Sequence, residues 1–132
     1  MSNPNKAKGT AHERAVQHYI NEELDQYRPD WREAESPWQD PRDPNNVTRP
    51  AQTGARDVGD LHAWPFVLEC KAEKTMRLPA YIAQANQEAL NAGFPYAVAV
   101  VKAPRKPVSA SYVVMDLETF SRVLYELRQL DA

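Results

Sequence analysis

The sequence predicts an α/β protein, a mixed β-sheet flanked by helices in the order α-β-β-β-α-β-β-α. Three observations carry that prediction. Tyr96–Val101 is an unbroken apolar run, the pattern of a strand covered on both faces. Asp60–Ala63 and Phe66–Lys71 form a pair of short strand-like segments around a turn at Trp64-Pro65. Apolar residues recur at helical spacing in three stretches, at the start, middle and end of the chain. A length of 132 residues suits one domain.

Taken in order, residues 1–8 read as a frayed polar lead. Thr10 is placed as the N-cap of the first helix, and Glu13 three residues on completes a capping box. The stripe Val16, Ile20, Leu24 and Tyr27 follows, and Pro29 ends it. Residues 29–56 are a proline-rich loop or insertion, carrying Pro29, Pro37, Pro41, Pro44 and Pro50, with a short strand near Trp31–Glu35. Beyond the strand pair, a second helix starts near Leu78 with Pro79 in its first turn. It carries Leu78, Ile82, Ala85 and Ala89 as its stripe and stops at Gly93. Lys102–Pro107 is a basic loop and Tyr112–Met115 a further strand. Asp116 caps a last amphipathic helix bearing Leu117, Phe120, Leu124 and Leu127.

Composition narrows the function classes. Apolar residues make up 42% of the chain, enough for a core, and the formal net charge is −2. The whole-chain charge therefore gives no sign of nucleic-acid binding, although an acidic site can mask a basic surface around it. Cys70 is the single cysteine, so no internal disulfide forms. The polar N-terminus and the lack of a long apolar segment predict a soluble cytoplasmic protein with no membrane association.

The chemistry concentrates in Phe66-Val67-Leu68-Glu69-Cys70-Lys71. Strand alternation puts Val67, Glu69 and Lys71 on one face and Phe66, Leu68 and Cys70 on the other. A carboxylate and an amine then stand about 6.8 Å apart along the backbone, next to an apolar run. Burying them is costly unless they are paired or bound to a metal; the plain alternative is a solvated ion pair on a sheet edge. Asp60, on the preceding strand, can bring a second carboxylate beside Glu69, and two carboxylates with water suit Mg²⁺. Lys71 would then serve the attacking water or stabilise charge on phosphate. Asp57 competes with Asp60 for the same role, and either also fits ordinary turn chemistry.

With Asp57-Val58-Gly59-Asp60-Leu61, Val67-Leu68-Glu69-Cys70-Lys71 and the opening Lys8-Gly9-Thr10-Ala11-His12-Glu13-Arg14, the sequence resembles the PD-(D/E)XK nuclease superfamily, and within it the archaeal and phage Holliday junction resolvases. The resemblance covers about residues 8–102, with the proline-rich loop as an insertion. The Pro-Asp of the superfamily name is absent, since Gly59 precedes Asp60, and the choice between Asp57 and Asp60 stays open. The resemblance implies a restriction-endonuclease-like fold and a Mg²⁺-dependent endonuclease, with Mn²⁺ as a substitute, that cuts DNA at four-way junctions. Asp60 and Glu69 would be the metal ligands, Lys71 the catalytic lysine and Glu13 a fourth participant, an additional acidic group near the metal. It further implies a homodimer, an accessory role for Gln84, and a bacterial host cell if the gene is phage-borne; the last helix or the apolar strand is the candidate interface. The rivals are another nuclease of the same fold, restriction-like or end-processing, and a non-catalytic nucleic-acid-binding module.

Other residues carry weaker signals. Lys8, Arg14, Lys74, Arg77, Lys102, Arg105 and Lys106 are candidate DNA contacts if they converge on the acidic site; otherwise they are surface charge. Gln84, Gln87 and Asn91 share a helix face that reads first as solvated, with Gln84 the candidate for the site. His12, His18 and His62 make no zinc pattern, although His62 can share a strand face with Asp60. Trp31, Trp38 and Trp64 fit base stacking or packing. Cys70 points away from the proposed site and reads as a buried thiol.

Overall fold

The computed structural model describes residues 4–52, 54 and 56–131, without the side chains of Pro4 and Asn5. Among the described residues, three α-helices and four strands run α1 (Pro4–Glu23), β1 (Leu61–Ala63), β2 (Phe66–Lys71), α2 (Leu78–Ala92), β3 (Tyr96–Val101), β4 (Tyr112–Val114) and α3 (Leu117–Leu130), with a short 3-10 turn at Val108–Ala110. The strands form one mixed sheet in the order β1-β2-β3-β4. β1 and β4 are antiparallel to their neighbours, and the central pair β2 and β3 is parallel, with Glu69 opposite Ala99. A parallel pair needs a crossover, and α2 supplies it.

The alternating side chains of β2 and β3 define two layers. On one face Leu68, Cys70, Val98 and Val100 pack with Val16 of α1, with Leu61 and with Val47. On the other, Val67 and Ala97 meet Ala85 and Ala89 of α2, while Ala99 and Val101 meet Tyr81. Four of the residues where α2 crosses the sheet are alanines, so helix and sheet approach closely there.

Several sequence expectations need correction. The helix begins at Pro4, so Thr10 lies inside it and no capping box forms; of the polar lead, residues 1–3 lie outside the described residues. Pro4 suits a first turn, where its missing N–H is not needed. The helix also ends early, at Glu23, with Asp25 in the left-handed region (φ 56°). Leu24 is therefore exposed, and Tyr27 is buried from beyond the helix end. No strand forms over Trp31–Glu35, which is a series of turns. Its aromatic residues instead build a small cluster, with His18, Trp31 and Trp38 all packed around Tyr27 at ring separations of 4.9 to 5.7 Å.

Within the proline-rich segment, Asn46 and Val47 are buried with the core. Val47 is fully buried, and the buried Asn21 amide accepts from Val47 N at 2.9 Å and donates to Val47 O at 2.9 Å. Thr48 forms a backbone bridge to His62. These bonds satisfy a buried backbone that no regular strand accompanies.

α3 starts at the predicted cap, where Asp116 Oδ1 accepts from Thr119 N at 2.8 Å. Its apolar stripe does not cover the sheet, however. Thr119 is its buried residue, while Leu117, Phe120 and Leu127 are more than half exposed. Two contacts that help hold α3 involve polar or charged groups: Asn86 donates to Asp116 at 3.1 Å and Arg122 lies over the Tyr96 ring. Among the described residues, no helix is long and apolar enough to cross a membrane.

Candidate active site

The C-terminal half of β2 carries the site. Glu69 faces α2 and is 4% exposed, as expected for a side chain between a strand and its crossover helix. Lys71 Nζ lies 3.1 Å from Glu69 Oε2 and donates to Gln84 Oε1 at 2.9 Å. Gln84 Nε2 donates back to Glu69 Oε2 at 2.6 Å and to Glu88 Oε2 at 3.5 Å. One amide thus orients the lysine and both carboxyl groups, and Gln84 belongs to the site rather than to a solvated face. Gln87 and Asn91 stay at the rim, where Asn91 donates to Asp57 O at 2.8 Å.

Asp60 reaches the same place from the sheet edge. β1 pairs with β2 from Leu61 onward, and Asp60 N still donates to Leu68 O. Beyond that point the chain leaves the sheet, and the Asp60 carboxylate accepts from Cys70 N at 2.8 Å in place of the missing strand. Gly59 makes this departure possible. Its φ is +95°, and a Cβ there would collide with Val67 Cγ1. Asp57 has a different task, accepting from Gly59 N at 2.9 Å in a local turn.

The electrostatics are those of crowded carboxyl groups. Burial, then the Asp60 charge, pushes Glu69 up to about 8, against the opposing pull of Lys71. Burial also raises Glu88, with Asp57 and Glu69 adding to it. Burial works to lower Lys71, but the Glu69 carboxylate beside it outweighs that and leaves the ammonium form favoured. Glu69 Oε1 and Glu88 Oε1 are buried and have no hydrogen-bond partner among the described residues. Such orphaned acceptors are costly in a dry site.

Glu13 sits at the same end of the sheet. It pairs with Arg49 (Nε to Oε1, 2.8 Å), and burial followed by the Asp60 charge raises its pKa. Glu13, Arg49, Pro50, Gln52, Asp57 and Asp60 line a recess of about 260 Å³. One helical turn away, Gly9 borders a larger groove of about 750 Å³, lined also by Lys6, Lys8, Lys71, Lys74 and Arg77. The acidic recess and the basic groove therefore flank the end of β2.

The predicted basic residues divide accordingly. Lys8, Lys74 and Arg77 line the groove, although Arg77 is also paired with Glu73 at 2.8 Å. Lys102 follows directly, its backbone N donating to Lys71 O at 2.8 Å. Arg105 and Lys106 are exposed and outside the groove lining. Arg14 is outside the lining of both recess and groove, and its charge acts on His18 and on Glu13. His62 bonds Val58 O at 2.7 Å and packs at a tilt against the Phe94 ring, so its side chain is engaged away from the acidic cluster. Cys70 is buried on the opposite face, and burial pushes its thiol up.

Sequence reasoning missed three participants. Glu88 had a signal, an acidic residue in phase with Tyr81 and Ala85 on the buried side of α2. His12 had one too, four residues before Val16; it is 5% exposed and bonds Val100 O at 3.0 Å. Arg49 had none, because its place depends on tertiary contacts of the loop.

No protein-family model, curated protein or solved structure gives a significant match to the chain.

Proposed function

We propose that this protein is a metal-dependent DNA endonuclease with a restriction-endonuclease-like, PD-(D/E)XK site, acting on four-way junctions as a homodimer. The observation that carries the reading is the set Asp60, Glu69 and Lys71 at the end of β2, with a buried, unpartnered Glu69 oxygen between an acidic recess and a basic groove. Among the described residues no three His, Cys, Asp or Glu side chains form a ready metal cage. The reading therefore rests on two carboxylates alone, the number that Mg²⁺, or Mn²⁺ in its place, can take while keeping several waters. Asp60 and Glu69 would hold the ion, which supplies an acidified water and charge neutralisation when bound.

The chain's own residues then have separate tasks. Lys71, as an ammonium held by Gln84 and Glu69, donates to the phosphate oxygens as charge builds on them. Gln84 fixes the lysine and the Glu69 carboxylate relative to one another. Asp60 is preferred over Asp57 because its carboxylate lies against Glu69, while Asp57 is engaged in the Gly59 turn. Glu13 supplies further negative charge to the recess. Lys6, Lys8, Lys74 and Arg77 grip neighbouring phosphates, so binding weakens as salt rises.

The test is Mg²⁺-dependent cleavage of a synthetic four-way junction by the wild type, Glu69→Ala and Lys71→Ala. Loss of cleavage in both variants, with folding retained, supports the assignment. Equal cleavage by all three would remove it. Cutting of linear duplex at the junction's rate would leave a nuclease of the same fold without junction specificity.

A further inference from the structure

The proline-rich segment delivers one cation into the acidic recess, and its anchoring is elaborate for a surface loop. Val47 is gripped on both backbone groups by Asn21, and Gln17 Nε2 adds a bond to Val47 O at 3.1 Å. Thr48 is bridged to His62 in both directions, at 2.8 and 3.1 Å. On the far side of Arg49, Gln52 Nε2 donates to Gly59 O at 3.0 Å, next to Asp60. Arg49 is thus the side chain between two fixed points. Extended backbone alternation places it on the same side as Val47, towards α1, where it meets Glu13.

The pair it makes there is lopsided. The Glu13 side chain is 16% exposed and that of Arg49 is 51% exposed. The contact runs through Nε, and a guanidinium carries further donors in a planar fork that matches phosphate. The same recess is lined by Asp57 and Asp60, so three carboxylates share it with one guanidinium. An anion entering alone would meet net negative charge. Once a divalent cation offsets those carboxylates, the open side of the Arg49 fork faces a site where a phosphate can be accepted.

We propose that Arg49 is a phosphate-binding residue of the nuclease site, presented by the anchored 47–52 segment and effective only when a divalent cation occupies the adjoining carboxylates. This rests on the nuclease reading and adds to it a substrate contact from the proline-rich loop. It also gives that loop a role: its order serves to hold one guanidinium beside Asp60.

The experiment is binding of a fluorescent four-way junction to the full chain, in Ca²⁺ and in EDTA, over a range of salt. Wild type, Arg49→Ala and Arg49→Lys are compared, with thermal melts to establish folding. Arg49→Ala is expected to bind about tenfold more weakly in Ca²⁺, as for loss of a charge-assisted bond, and to lower the salt slope by about one. In EDTA it should match the wild type. Arg49→Lys should recover part of the loss, since a point charge replaces a fork. Unchanged binding by Arg49→Ala in Ca²⁺ would make Arg49 a mere counter-ion of Glu13 and overturn the proposal. An equal loss in Ca²⁺ and EDTA would also overturn it, by placing Arg49 outside the cation-linked recess. If the wild type itself shows no binding in either condition, the nuclease reading falls and takes this assignment with it.

Discussion

The two faces of β2 divide the labour of the molecule. Leu68 and Cys70 look towards α1 into a packed apolar layer, while Val67, Glu69 and Lys71 look towards α2. Neighbouring residues of one strand share the same backbone bonds and similar burial, with Leu68 and Glu69 each 4% exposed. Yet one gains stability from its surroundings and the other is held against its own preference, raised in pKa and short of a partner. Strain of this sort, tolerated because the rest of the fold supports it, is the usual mark of a working site.

The sharpest way to break the comparison is to truncate both residues. Glu69→Ala should lower junction cleavage by about a thousandfold or more, as for loss of a main electrostatic contributor, with little loss in melting temperature. Leu68→Ala should do the reverse, lowering stability by about 2–5 kcal/mol while folded protein keeps its cleavage rate. If Glu69→Ala unfolds the protein, or Leu68→Ala stops cleavage in fully folded samples, the division fails.

Stability against pH comes next in size. Glu69 and Glu88 have folded pKa values raised from 4.5 to about 8 and about 9. A raised value means that the folded state holds the proton more tightly than the unfolded chain does. Their contribution is therefore fully present below about 4.5 and lost as pH rises through the folded values. In EDTA, denaturant midpoints should fall between pH 5 and pH 9, and Glu88→Gln should flatten the fall. A wild-type profile that is level or rises over this range would contradict the crowding of these carboxyls. Mg²⁺ should raise the melting temperature at pH 8, and Glu69→Gln should remove that increase; an equal increase in the variant would move the metal elsewhere.

The apolar face supplies the smallest effect. Buried and raised in pKa, Cys70 should resist alkylation in the native protein and react only on unfolding. Rapid modification without denaturant would show that the α1 layer is looser than described.

How much of this was legible follows from the range of the forces involved. Phe66–Lys71 was read correctly to the residue because alternation is local. Gly93 and Asp116 were equally plain, since each terminus declares itself through one residue's conformation or side chain. The start of α1 was misplaced because Thr10 and Glu13 satisfy a local capping pattern. Their tertiary surroundings instead offered continuous helix and an ion pair with Arg49. α3 carries a strongly amphipathic pattern, yet packs through Thr119 and Asp116; periodicity states which side is apolar and not which side is covered. Asp60 and Asp57 look alike in sequence, and only the folded turn shows that Asp57 accepts from Gly59 N while Asp60 accepts from Cys70 N.

The Asn21 clamp on Val47 has a consequence for how the protein opens. Amide exchange slows only where breaking the bond requires a cooperative unit to unfold. The Val47 N–H is bound at 2.9 Å by a buried side chain of α1, in a stretch bordered by prolines and without regular strand structure. Its exchange should accordingly follow the strands of the core and not the turns on either side of it. A slow amide in the middle of this loop would mark the segment and α1 as one unit, so that releasing the helix also releases the loop.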